Sequence, residues 1–262
     1  MADRRPRQTH ELRREGDLIT KVYRSWGRRE PHREWAALRC LAVHQPGLGP
    51  DPIAADLDGQ PPSITMTVVP GHTIDGRWTE HQLGLLADAM RRLWSAPSDG
   101  LPAIDLHEPQ YWRGLVAGSV RPQPGAEQDA YDLAGKWINS PELESLLDGR
   151  QPQVLGQGDP QPGNMLYDGV AIRLVDFEDS GASDVCFELA NFAEHLGTRD
   201  TGLHRLADFI DHDSERYRLC RRLIAAWWLF RLLPDPTGRR PARPVDLHNQ
   251  ATRLVGLFNE EP

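Results

Sequence analysis

The chain has 262 residues, enough for two modest lobes or one large domain, and its 39% hydrophobic and 26% charged residues are those of a globular protein. Its net charge is −8, with nineteen Asp or Glu against five Arg or Lys between residues 127 and 215, which disfavours nucleic acid as a partner and favours cationic ligands or metal ions. Three widely separated cysteines without a CxxC pair argue against a zinc site or a disulfide framework.

The basic N-terminus lacks an apolar segment, so no signal peptide is expected. Residues 1–15 are polar and Arg-rich and read as a loose or helical lead-in. Asp17 to Tyr23 reads as a strand from its β-branched and aromatic residues. Glu30 to His44 follows as a helix, with Trp35, Leu38 and Leu41 along one face. A loop rich in Pro, Gly and Asp spans 45–62, with room for a short strand. Ser63 to Val69 is a second clear strand, ended by Pro70-Gly71.

The pattern then becomes helical. Thr79 and Gln82 have the spacing of a capping box ahead of a Leu83, Leu86, Met90, Leu93 stripe. Tyr111 to Ala117 and Tyr131 to Ile138 are further helices, and Ser140-Pro141 opens another. Gln153 to Leu155 is a short strand. Asn164 to Tyr167 and Ala171 to Asp176 read as a hairpin joined at Asp168-Gly169. Helices are expected near 184–196, 202–211, 214–233 and 246–258. The apolar run Leu223 to Phe230 is too short to span a bilayer, so no membrane contact is expected, and the scattered cysteines fit a reducing, cytoplasmic setting. A small β-containing part followed by a larger, mostly helical part is an α+β pattern.

The chemistry is concentrated in Gly156-Gln157-Gly158-Asp159-Pro160-Gln161-Pro162-Gly163-Asn164 and Leu174-Val175-Asp176-Phe177-Glu178-Asp179. Two prolines and two glycines make 158–163 a loop, and Asp159 is biased to extended geometry by the proline after it. A hairpin returns its ends to one place, so Asn164 and Asp176 should lie together beside the Asp159 loop. Phosphoryl transfer needs such a set: a carboxylate to take the proton of an attacking hydroxyl, and oxygen ligands for Mg²⁺.

These segments, with Asp184 to Ala190, resemble the H-G-D-x-x-x-x-N … (I/V)-D-F/W … G-D-x-x-x-D-L-A pattern of the aminoglycoside phosphotransferase and choline kinase-like family. The resemblance implies a protein kinase-like two-lobed fold, with a small, abbreviated β-rich N-lobe over residues 1–70 and a larger helical C-lobe over 71–262. The hinge would lie near 66–71, the catalytic loop at 156–164 and the metal-binding segment at 174–179. It implies that Asp159 is the catalytic aspartate, that Asn164 and Asp176 bind Mg²⁺, and that Leu166 and Val175 are apolar neighbours of the adenine. Lys21, one of only two lysines in the chain, would contact the nucleotide phosphates and pair with Glu34. Backbone groups of Thr67 and Val69 would meet the adenine.

Gln157 stands where the family usually carries His, and only Gly16 supplies a glycine before Lys21, so no Gly-rich phosphate-covering loop is visible. Glu178, Asp179, Glu188 and Glu194 are the candidates for holding an amine-bearing acceptor. The reading is an ATP- or GTP- and Mg²⁺-dependent kinase for a hydroxyl-bearing small molecule, with an aminoglycoside or other antibiotic as the natural guess and choline, homoserine, a sugar or a modified nucleoside left open, since fold does not fix substrate. The alternative is an inactive binding or regulatory protein on the same fold. Oligomeric state is not legible.

Overall fold

The structure is a computed structural model, and it describes residues 10–104, 109–148, 153–234 and 243–260. The chain opens with strands β1 (Glu11–Glu15) and β2 (Leu18–Val22) and helix α1 (Glu30–His44). Strands β3 (Pro52–Asp56), β4 (Ser63–Thr67) and the two-residue β5 (His72–Thr73) come next. Helices α2 (Glu80–Ser95), α3 (Pro109–Ala117), α4 (Ala126–Ile138) and α5 (Pro141–Asp148) lead into short strands β6 (Val154–Gly156), β7 (Met165–Tyr167), β8 (Ile172–Leu174) and β9 (Gly181–Ser183). Helices α6 (Val185–Glu194), α7 (Ser214–Leu232) and α8 (Pro244–Asn259) complete the order.

The expected lead-in is corrected by the structure. Residues 11–15 form β1, which pairs with β2 across the tight turn at Gly16-Asp17, with Leu12 opposite Lys21. The polar pattern of this segment hides a strand because it lies at the edge of the sheet and is mostly exposed. The four-stranded antiparallel sheet has the order β1-β2-β4-β3. Residues 203–209 are a 3-10 helix where the sequence pattern predicts an α-helix.

Helix α2 begins as its sequence dictates. Thr79 Oγ1 accepts the Gln82 N–H, and the Gln82 side chain takes the Thr79 N–H at 2.9 Å. Its Leu83, Leu86, Met90 and Leu93 are all fully buried, each contributing roughly 1.5–3 kcal/mol. They join one continuous core with Tyr23, Leu38, Leu41, Ile64 and Met66 before residue 70 and with Leu155, Met165, Leu174 and Phe177 after it. A second core packs α3, α4, α5, α6, α7 and α8 around Trp112, Phe187, Leu223 and Leu254.

The hairpin exists, with a longer loop than expected. Met165 faces Leu174, and Asp168 Oδ1 accepts the N–H groups of Val170 and Ala171, closing a four-residue turn. β5 adds a third strand beside β7, where Gly71 is required: a side chain there would meet the Tyr167 backbone at 2.9 Å, and its φ is +121°. Among the described residues no helix is long and apolar enough to cross a membrane.

Candidate active site

β6 delivers the chain to the loop carrying Asp159. Gly158 takes φ +82°, and a Cβ on it would lie 2.2 Å from the Asp179 carbonyl oxygen, so only glycine lets the loop approach that backbone. The loop is tied from several sides. Gln157 Nε2 donates to the Val175 carbonyl at 3.0 Å. Asn191 Nδ2, from α6, donates to the Gly158 carbonyl at 3.0 Å. Asn164 Nδ2 donates to the Asp159 carbonyl and to its Oδ2, both at 3.2 Å.

Asn164 ends a short 3-10 turn rather than opening β7, and its carbonyl accepts the Val175 N–H at 3.0 Å. This seats Asp176 just beyond the hairpin end, beside Asn164. Asp176 has φ +63°, a conformation that costs a non-glycine residue about 1–3 kcal/mol and that clusters at functional sites. With its amide nitrogen turned to Asp159, Asn164 has Oδ1 left for a cation.

Lys21 joins the sheet to this hairpin. Its Nζ lies 2.7 Å from Glu34 Oε2, 2.5 Å from Asp176 Oδ1 and 2.7 Å from Glu178 Oε2. Tyr23 also donates to Glu34, and the Phe177 N–H reaches Glu34 Oε1 at 3.3 Å. Burial disfavours the ammonium, but the three carboxylates outweigh it and raise the Lys21 pKa. Burial dominates at Glu34 and raises its carboxyl despite Lys21. At Glu178 burial is overcome by His10 and Lys21, which bring its pKa down to about 2. His10 Nδ1 accepts the Arg24 N–H at 3.1 Å, which leaves the ring proton on Nε2, 2.7 Å from Glu178 Oε2.

Oxygens of Glu34, Asp176 and Glu178 lie within 4.8 Å of one another. Three carboxylates against one ammonium leave the cluster net negative, and its donors are hard oxygens, the set that suits Mg²⁺. The Asp176 side chain is 37% exposed, so it is open to an arriving cation.

Asp159 is nearby. Burial, then the charges of Asp179 and Asp176, push its pKa up to about 7. On its far side stand His195 and, against His195, Trp228.

The remaining predicted residues divide. Leu166 on β7 faces Thr73 of β5, and Val175 follows β8, both half-buried. Val69 lies just past β4, but the Thr67 N–H is used by the Asp51 carbonyl at 3.0 Å, so that donor is not open to an adenine. Asp179 is paired with Arg28 at 2.5 Å. Glu188 and Glu194 do not face an acceptor. Glu188 is buried under the Asp159 loop, accepting the Gln157 N–H at 3.1 Å and the Ser183 hydroxyl at 2.8 Å. Glu194 is wholly buried and held by Arg221 and Arg253. Their helix is buried on nearly every face, which helical spacing in the sequence does not reveal. His10, Asn191 and His195 carry no signal in the sequence, because each reaches the site through tertiary packing.

The family model described as Phosphotransferase enzyme family matches residues 7–224. No curated protein matches the chain. Among solved structures, a choline/ethanolamine kinase family protein from Mesorhizobium loti superposes with a TM-score of 0.68 at 18% identity, over 96% of this chain and 86% of that one. The choline kinase LicA from Streptococcus pneumoniae gives 0.62 at 17%, over 96% of this chain and 90% of that one. The GDP complex of aminoglycoside 2'-phosphotransferase-IIIa gives 0.61 at 17%, over 95% and 89%. The fold is therefore protein kinase-like.

Proposed function

We propose, since this chain belongs to the phosphotransferase enzyme family, that it transfers the γ-phosphoryl group of ATP or GTP to a hydroxyl of a small molecule. The observation that carries the reading is the convergence of Asp159 and Asn164 from one loop, Asp176 from the end of the hairpin and Lys21 from β2.

Asp159 orients the acceptor hydroxyl and receives its proton as the acceptor oxygen bonds to the γ-phosphorus. The bond from that phosphorus to the β–γ bridging oxygen breaks, and the nucleoside diphosphate leaves with the bond's electrons. Its raised pKa makes Asp159 a stronger base than an ordinary aspartate. Asn164 and Asp176 would hold Mg²⁺, which supplies charge neutralisation on the nucleotide phosphates. Lys21, oriented by Glu34 and Tyr23, brings its ammonium to the same phosphates. Residues 1–70 serve as the nucleotide lobe, residues 66–71 as its hinge and 71–262 as the acceptor lobe.

Glu188 and Glu194 being occupied, the acceptor meets Asp159 beside the rings of His195 and Trp228. Structures of similar fold include a choline/ethanolamine kinase family protein and an aminoglycoside phosphotransferase. An aromatic wall suits a compact cationic alcohol, which it can hold by cation–π contact, better than a polyamine that needs several free carboxylates. A mass-gain screen of amino alcohols, aminoglycosides and sugars with MgATP and MgGTP tests the proposal. No phosphorylated product from any of them, with no nucleotide consumed, would defeat it.

A further inference from the structure

Asp159 is approached from several sides, the Gln161 backbone N–H among them. Asn164 Nδ2 takes Oδ2, while Oδ1 faces His195, whose Nε2 is 3.7 Å away. His195 closes α6. Its Nδ1 accepts the Gly197 N–H at 3.0 Å, which places the proton of the neutral ring on Nε2, the atom turned to Asp159. Burial, then the charge of Arg199, pushes the imidazole down to about 4, so the ring is a neutral donor at working pH. The charged groups that face it are Asp159 and Arg199.

The ring is also fixed in place. It meets Trp228 edge-on at 4.8 Å and 81°. Trp228 meets Trp227 at 4.7 Å, and Trp227 Nε1 donates to the Tyr111 hydroxyl at 2.7 Å. Thr198 Oγ1 donates to the His195 carbonyl at 2.8 Å. The turn lies so near the catalytic loop that a Cβ on Gly197 would sit 2.3 Å from Gln161 Oε1.

We infer that His195 is a positioning residue for phosphoryl transfer: its Nε2–H fixes the Oδ1 side of the Asp159 carboxylate, opposite Asn164 on Oδ2, and so aims the carboxylate at the acceptor hydroxyl. The inference rests on the reading of Asp159 as the base. At 3.7 Å the contact is longer than a hydrogen bond, and catalytic contacts of this kind tighten when substrate is bound. A neutral donor orients the carboxylate without adding a positive charge that would weaken it as a base.

Two variants of the full chain separate positioning from packing. His195→Phe keeps a flat ring and loses the donor; His195→Gln keeps an N–H near the Nε2 position. With MgATP and water as the acceptor, His195→Phe should lower kcat roughly 10- to 100-fold with KM for MgATP unchanged, and His195→Gln should recover most of the loss. A His195→Phe rate equal to the parent, or His195→Gln no better than His195→Phe, overturns the inference. Nitrogen-15 spectra of the imidazole give a readout without turnover. They should show the Nε2–H tautomer, with resonances that move in Asp159→Asn. An Nδ1–H tautomer, or resonances blind to that substitution, also overturns it. A parent that consumes no ATP with water is assayed with the acceptors of the mass-gain screen; no product from any of them defeats the phosphotransfer reading instead, and the spectra then decide the His195–Asp159 geometry alone.

Discussion

The ammonium of Lys21 touches the carboxylate of Asp176, Nζ to Oδ1 at 2.5 Å, across 155 residues of sequence. One contact thus joins the strand that carries the phosphate-binding candidate to the hairpin that carries the metal-binding candidate. Glu34 and Glu178 share the same ammonium, so the whole arrangement depends on one cation.

Lys21→Met is therefore expected to destabilise the fold by about 3–5 kcal/mol, because it leaves buried carboxylates without their counter-charge. Urea denaturation checks this. A variant with the parental midpoint would mean that the three carboxylates do not rely on Lys21.

Asp159→Ala should reduce phosphate transfer by at least about 100-fold while leaving nucleotide affinity within a factor of a few, since the loop is also held through Gln157 and Asn191. Turnover and calorimetric titration with MgATP separate the two effects. Parental turnover in this variant would remove Asp159 from the mechanism.

MgATP at roughly 100 times its Kd should stabilise the protein by about 2.7 kcal/mol. In Asp176→Asn the Mg²⁺-dependent part of that gain should vanish. Thermal shift with ATP, with and without Mg²⁺, reads both. An undiminished Mg²⁺ effect in Asp176→Asn would place the cation elsewhere.

Glu188 supplies a pH test. Burial raises its pKa from 4.5 to about 7, so the folded protein keeps a proton that the unfolded chain gives up. The stabilisation this confers is complete below pH 4.5 and is lost as pH rises through 7. Glu188→Gln cannot ionise, so between about pH 5 and 8 the parent should lose roughly 5 °C more in Tm than the variant. Parallel Tm curves for the two proteins would contradict it.

Much of this architecture is legible in the sequence. The capping box of α2, the α1 face around Leu38 and Leu41, and the Asp168-Gly169 turn are local signals, and local physics formed them. Asn164 and Asp176 meet because strand pairing returns a hairpin to its start. β1 escapes notice because an exposed edge strand carries no apolar alternation, and β9 because Gly181, Ala182 and Ser183 are too small to signal a strand. Glu188 and Glu194 look like acceptor ligands because sequence shows charge but not burial. Only the fold reveals that loop amides and arginines already hold them.

The apolar core runs unbroken from Tyr23 and Ile64 to Leu83 and Phe177, so the four-stranded sheet has no oily interior of its own to fall back on. Severed from the helices beyond residue 70, it would present bare leucines and a bare tyrosine to water. Heating should accordingly give a single calorimetric peak, both halves coming apart in one event.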